Sequence, residues 1–326
     1  MPSPTSGAVH VNTPLTKLSV AYLQKETTFV SDKVFPGVLV NKQSDRYYVY
    51  DKGDLLRDEA KVRAPGTESE GSGYELDNTP TYYCPVIAIH KDIPAQIRAN
   101  ADSVLDMDKD AMEFVSQKLL MKREIDWAFK YFKAGVWTTN YTGVAAGPAA
   151  NQFIQFDAAS SDPGTTVDVV KGEVKLLTGR DPNCLTVGRQ VHDILKRHSV
   201  IRDQFKYTGS QSITKEMLAK YFEVDKYLVA DAIYNTAAQG VAASLSYICG
   251  KGMLLSYAPA NAGLLTPSAG YTFKWRGEKN TMPAGIRIKK FARIAEIGGD
   301  RVEGEMSYDQ KVIGVDLAGF CAAAIS

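Results

Sequence analysis

The stretch DMDKDAMEFVSQKLLMKREIDWAFKYFK (residues 106–133) decides how the rest of the chain is read. Asp106 is placed to accept the free backbone N–H groups that open a helix, and Asp108 and Asp110 put negative charge where the helix dipole favours it. Ala111, Val115 and Leu119 recur at helical spacing and begin an apolar stripe that winds on to Met121, Ile125, Phe129 and Phe132. Gly135 follows as a stop signal. The spacing predicts a helix of about 28 residues, roughly 40 Å long at about 1.5 Å per residue. An element of that length crosses a whole subunit, so it is expected to be a structural beam.

Upstream of the beam, RYYVY (46–50) and TYYCPVIAIH (81–90) are aromatic and β-branched runs that read as strands. Between them lies DKGDLLRDEAKVRAPGTESEGSGYELDNTP (51–80), a far longer connection than the ~2–5 residues of an ordinary hairpin loop. Its tip, Pro65 to Gly73, is rich in Gly and Ser. Its mixed charge suits an extended hairpin laid on a neighbouring charged surface, the bland alternative being a solvated loop. Arg57, Asp58, Glu59, Lys61, Arg63, Glu68 and Glu70 are the candidate contact residues. Further upstream, residues 1–40 read as an arm interrupted by Pro2, Pro4, Pro14 and Pro36. Leu15, Leu18 and Tyr22 fall at helical spacing in a segment too short for a core of its own, so they are expected to lie on something else, unless the terminus is merely frayed.

Downstream, GVAAGPAANQ (143–152 with its flanks) marks an exposed turn or boundary. Helices and strands then alternate. TTVDVVKGEVKLLTGR, GRQVHDILKRH and ITKEMLAKYFEV read as helices, the last with Thr214 as N-cap. NCLTVG, KYLVADAIYN, LSYICGKGMLLSY and YTFKW read as strands, as do the runs either side of Gly298–Gly299. The fold class expected is α+β, in two lobes.

Composition bounds the function. The chain has 326 residues, enough for about two domains that need no staples. Hydrophobic residues are 44% and charged residues 23%, as in a folded globular protein. No run approaches the roughly 18 apolar residues of a membrane span, and the opening MPSPTSGAVHVN is no secretory signal. Lys plus Arg is 38 and Asp plus Glu is 37, and no basic cluster marks a nucleic-acid-binding face. Cys84, Cys184, Cys249 and Cys321 are far apart, which favours free thiols over a disulfide framework.

Chemical motifs are missing. Gly250–Lys251 lacks the upstream glycine of a phosphate loop and reads as a strand turn. Asp106, Asp108 and Asp110 imitate a calcium loop, but Ala111 stands where a glycine is needed and Gln117 where a glutamate is. His192 and His198 point to different helix faces, and no Gly-x-Ser-x-Gly elbow exists. No catalytic, cofactor-binding or metal-binding residue is assigned. An α+β enzyme whose acid/base pair forms only in the fold is kept as a distant alternative.

The order of parts carries the functional reading. The hairpin RDEAKVRAPGTESEGSGYEL, its return strand CPVIAIHKDIP, the helix start DMDKDAMEFVSQKLLMKREID, the segment ITKEMLAKYFEVDKYLVADAIYN and the run GKGMLLSYAPANAGLLTPSAGYTFKW together resemble the major capsid proteins of tailed bacteriophages, the Hong Kong 97 phage shell fold. The resemblance covers nearly the whole chain and rests on no single motif.

It implies an N-terminal arm (1–40), an extended loop (41–92), a peripheral domain with the spine helix (93–159), an axial domain (160–280) and return strands of the peripheral domain (281–326). It further implies self-assembly through pentamers and hexamers into an icosahedral shell enclosing double-stranded DNA without sequence-specific binding. The expected place is the virion capsid, assembled in host cytoplasm, with no cofactor and no membrane. A near-zero net charge suits a container that a motor fills, since a basic lumen would hold the DNA. Portal and decoration proteins are possible partners. No long acidic helical segment precedes residue 41, so any scaffold is expected to be a separate protein, and the N-terminus is expected to be retained. Some relatives cross-link a loop lysine to an asparagine. Lys52 and Lys61 lie in the loop, but no partner is identifiable and no cross-link is expected. An encapsulin shell, which shares the fold and holds enzyme cargo, is the near alternative.

Overall fold

The computed structural model describes residues 24–101, 106–206, 213–263, 266–277 and 286–326. Leu15, Leu18 and Tyr22 lie outside them. Two β-sheets and one long helix organise the chain.

The spine helix runs Met107–Tyr131, with the Asp106 carboxylate accepting the Lys109 N–H at 3.1 Å. It lies across a five-stranded sheet built around one long strand, Gly299–Val312. Ile286–Ile294 and Val86–Pro94 both pair antiparallel with its first half. Gly270–Trp275 pairs antiparallel with its second half and carries Gly37–Val40 in parallel on its outer side. Ala111, Val115 and Leu119 press onto this sheet among Val302, Met306 and Tyr308, as their spacing requires. Gly304 permits the close approach, because a Cβ there would sit 2.3 Å from Val115 Cγ1.

Beyond Leu119 the buried face differs from the expected stripe. A helix of 3.6 residues per turn carries it to Arg123, Glu124, Trp127 and Ala128. Met121 and Ile125 are half-buried, and Phe129 is 57% exposed. Two charged residues therefore occupy core positions that hydrophobic patterning assigns to apolar neighbours.

The second sheet has six strands in the order Lys226–Ala230, Cys184–Gly188, Met253–Ser256, Ala318–Ala322, Thr139–Val144, Gln152–Ile154. Helices Pro163–Thr178, Arg189–Leu195 and Lys215–Tyr221 cover it. The first starts at Pro163, two residues ahead of the expected Thr165, and the third starts after the expected cap Thr214. Asp162 caps the first and Thr214 the third, while Gly179 closes the first in a left-handed conformation (φ 70°). Val167, Val170 and Val174 fill the core with Leu185, Val187, Val191, Leu195 and Leu218.

The strands do not respect boundaries at residues 160 and 280. Gly270–Trp275 belongs to the five-stranded sheet, while Thr139–Val144 and Ala318–Ala322 belong to the six-stranded one. The chain crosses between the sheets, so contiguous sequence does not define either layer. Several expected strands are also interrupted. Ser44–Arg46 and Val49–Tyr50 replace one run, and Thr81–Tyr83 is separated from Val86–Pro94 at Pro85, which has no N–H to donate.

The later part of the expected arm is inside the molecule. Phe29, Val30, Val34 and Phe35 are buried, with Phe35 packed edge-on against Trp127 and Trp137. Residues 29–40 thus use this subunit's own core, contrary to the expectation for an arm lying elsewhere. Their apolar run FVSDKVFPGVLV carries the signal that the proline count obscured.

Candidate assembly interface

The long insertion forms a two-rung ladder. Ser44–Arg46 pairs antiparallel with Thr81–Tyr83, and further out Val49–Tyr50 pairs with Leu76–Asp77. The base is fastened by aromatic stacking, which suits planar side chains at a strand pair. Tyr82 stacks on Phe273 with centroids 4.6 Å apart and planes 10° apart, and Tyr47 lies 5.4 Å from the same ring. Cys84 is buried beside them, and desolvation pushes its thiol up to about 12. The Tyr83 N–H donates to Asp309 Oδ2 at 3.0 Å, tying the return strand to the five-stranded sheet.

Outside the base the loop stands in solvent. Every residue from 60 to 79 is exposed. Asp51 caps the short helix Lys52–Leu55 by accepting the Gly53 N–H at 2.9 Å. One ionic tie links the outer loop back to the body, from Lys52 to Asp316, whose other oxygen accepts the Thr138 hydroxyl at 2.5 Å. Burial raises the Asp316 carboxyl and the Lys52 and Thr138 contacts outweigh it, leaving the group below its ordinary value.

The seven predicted loop contacts fall into two sets. Arg57 bridges Asp54 at 3.3 Å and Glu59 at 3.2 Å, and Glu59 also accepts the Ser72 hydroxyl across the loop. Lys61 pairs with Glu70 at 3.0 Å. Four of the seven thus satisfy one another within this subunit. Asp58, Arg63 and Glu68 are exposed and make no ion pair among the described residues. Charge counting passed over the apolar residues among and beside them. Leu55, Leu56, Val62, Tyr74 and Leu76 are all exposed on the same loop, Leu56 at 64%. Their signal in the sequence was a set of large apolar residues inside a charged insertion.

A second cluster that patterning missed sits where the chain enters the body. The Glu124 carboxylate is fully buried and accepts the N–H groups of Val30 (3.0 Å) and Ser31 (2.9 Å) at the start of the turn Ser31–Val34. Beside it Arg123 pairs with Asp32 at 2.6 Å, and Lys274 reaches the same oxygen at 3.1 Å. Desolvation pushes the Glu124 carboxyl up, opposed by those N–H groups. Gln24 bonds both ways with the backbone of Ile233, at 2.6 and 2.9 Å. Residues 24–36 therefore strap the two-stranded ribbon of Ile233–Asn235 and Leu245–Tyr247 to the spine helix.

Chemistry-bearing residues elsewhere are paired within the fold. His192 shares a 3.0 Å hydrogen bond with Tyr227, and burial lowers it to about 4. The Ser161 hydroxyl donates to the Ala158 carbonyl at 2.6 Å and meets His198 Nε2 at 2.9 Å, both side chains buried. Among the described residues no group of three or more His, Cys, Asp or Glu is arranged to hold a metal ion, and no helix is long and apolar enough to cross a membrane. All four cysteines are free and buried.

A five-stranded sheet under a spine helix, a second six-stranded sheet and a projecting two-rung loop define the Hong Kong 97-type fold of phage capsid proteins. In sequence the chain is similar to the major capsid protein of Burkholderia phage BcepMu, 25% identical over 282 residues, spanning 82% of this chain and 84% of that one. No family model matches the chain. A phage-related protein from Bordetella bronchiseptica is 19% identical, with a TM-score of 0.69 over 92% of this chain and 94% of that one. The capsid protein of cyanophage P-SCSP1u is 12% identical, with a TM-score of 0.58 over 94% and 90%. An encapsulin complex from Synechococcus elongatus shares the fold more distantly, at 8% identity and a TM-score of 0.50 over 94% and 91%.

Proposed function

We infer that this chain is the shell-forming major capsid protein of a phage, assembling with copies of itself through pentamers and hexamers into a closed icosahedral container for double-stranded DNA. The single observation that carries the reading is the loop of residues 51–79. It is folded and fastened at its base, yet presents its outer surface to solvent. A monomer has no use for such an element, whereas a shell subunit gains an interface from it at every copy. The capsid homologue supports the same reading.

In this reading the chain is structural and carries out no catalysis, and its place is the virion capsid, built in host cytoplasm. A separate scaffold and a portal would act with it. The encapsulin alternative has only the fold in its favour, while the curated relative is a phage protein. Native mass spectrometry of purified particles separates the two. Co-purified double-stranded DNA and a portal protein are expected, and a co-purified enzyme with neither would overturn the phage reading. Particles that never form, even with the phage's scaffold present, would overturn the shell reading itself.

A further inference from the structure

We propose that the helices Arg189–Leu195, Ser199–Phe205 and Lys215–Tyr221, with the residues at their ends, form a cationic surface that binds the phosphate backbone of double-stranded nucleic acid without reading its sequence. The proposal rests on the capsid reading for the source of the polyanion and names the part of the subunit that meets it.

Positive charge is gathered in this layer. Lys196, Arg197, Arg202, Lys206, Lys215 and Lys220 lie on or beside these helices, against two carboxylates, Asp203 and Glu216. Residues 196–206 and 213–220 therefore carry a net of +4, whereas the chain as a whole is +1, so the rest of the subunit is −3. Lys196 is half-buried and the other five cations are exposed. No more than two of the six are adjacent in the sequence, so they form no basic run there.

Packing brings them together. Leu195, Ile201 and Leu218, one from each helix, are fully buried in the same core, which leaves the opposite faces of the helices outward. The Phe205 and Tyr221 rings meet with centroids 6.3 Å apart, so Lys206 and Lys220 flank a contact between two helices. Burial lowers His192, and Lys196, Lys215 and Arg189 lower it further, which places those three cations around one ring.

The subunit itself does not neutralise them. Arg189 has Asp193 at 3.2 Å and Asp231 at 3.8 Å, but none of the six makes an ion pair or a side-chain hydrogen bond among the described residues. Helix dipoles favour a cation in the last turn, by about 0.3–1 kcal/mol, which accounts for Arg202 and Lys220. Lys215 stands in a first turn, where the dipole disfavours it. Like charges held together repel, and a polyanion relieves that repulsion. Arg197 and Arg202 add planar guanidinium forks that match phosphate oxygens. In a filled shell the polyanion before every subunit is DNA. Such contacts are screened by salt and pass from one phosphate to the next, so a duplex is held loosely and can still be driven past.

The test is binding of a labelled random-sequence DNA duplex by unassembled full-length subunits, read by fluorescence anisotropy across salt concentration. Each neutralised phosphate adds about −0.9 to the slope of log affinity against log salt, so six cations give a slope of about −5. Arg197→Gln with Arg202→Gln and Lys206→Gln is expected to weaken binding at least tenfold and to reduce the slope by about 3. Lys109→Gln with Lys130→Gln and Lys133→Gln removes as much charge from the spine helix and its end, and is expected to stay within about threefold of wild type. Circular dichroism establishes that each variant folds. In DNA-filled particles, formaldehyde is expected to join DNA to Lys196, Lys206, Lys215 or Lys220. Unchanged affinity in the first variant, equal loss in the second, or cross-links confined to other lysines would overturn the proposal. Displacement of the duplex by polyglutamate at equal charge concentration would overturn it in favour of an acidic polypeptide. Failure of the wild type to form shells would instead strike the capsid reading, since the duplex assay needs no assembly.

Discussion

Removing the Glu124 carboxylate tests whether the strap of residues 24–36 is held by a buried charge rather than by its apolar side chains alone. In Glu124→Ala the N–H groups of Val30 and Ser31 lose their acceptor in a place without solvent. Each buried donor left unpaired costs about 1–3 kcal/mol, so the pair costs about 2–6 kcal/mol, less whatever is regained by not burying a charge. Against a net stability of about 5–15 kcal/mol that is a large fraction. Glu124→Gln keeps one carbonyl acceptor and is expected to cost roughly half as much.

Urea unfolding gives the total, and amide hydrogen exchange at Val30 and Ser31 locates it. Exchange at those two amides is expected to rise by orders of magnitude in the alanine variant while the Cys184–Gly188 strand stays protected. The pH dependence adds a signature. Glu124 holds its proton to a higher pH in the folded chain than in the unfolded one. Its titration therefore adds stability that is fully present below the ordinary carboxylate pKa and is lost as pH rises through the raised value. Glu124→Gln should lack that loss. Unchanged exchange at Val30 and Ser31 in Glu124→Ala would refute the clamp.

Three other outcomes follow from the packing. Gly304→Ala places a methyl 2.3 Å from Val115 Cγ1 and 2.9 Å from Leu119 Cδ1, so these side chains or the helix that carries them must shift, and stability should fall by about 1–3 kcal/mol in urea melts. His192 is held neutral by burial down to about pH 4, against an ordinary value of 6.5. It should therefore contribute stability above pH 6.5 that is lost as pH falls toward 4, and His192→Phe should flatten that part of the stability–pH curve. Lys52→Ala removes the outer tie to Asp316, which is half-exposed on the lysine side. Unfolding midpoints should move by less than about 1 kcal/mol while limited proteolysis within residues 53–79 quickens.

Local signals in the sequence were read where local physics decides. Asp106 and Thr214 cap helices because their side chains reach the first free N–H groups, and no tertiary contact is needed for that. Ala111, Val115 and Leu119 face the sheet because period alone puts them on one side. The readings that went astray depend on partners distant in sequence. Arg123 and Glu124 look like surface residues until Asp32 and the Val30 and Ser31 amides, about ninety positions away, are brought to them. The crossing of Gly270–Trp275 and Ala318–Ala322 into different sheets is likewise a matter of long-range pairing. In the loop, which charges pair internally depends on how the limbs align, and the exposed Leu55, Leu56 and Val62 were overlooked among them.

An electron cryo-microscopy reconstruction of particles purified from cells making this protein tests the central claim most directly. The account calls for closed icosahedral shells in which residues 51–79 of each subunit lie buried on an adjacent copy. Dispersed monomers, or shells in which those residues remain in solvent, would contradict it.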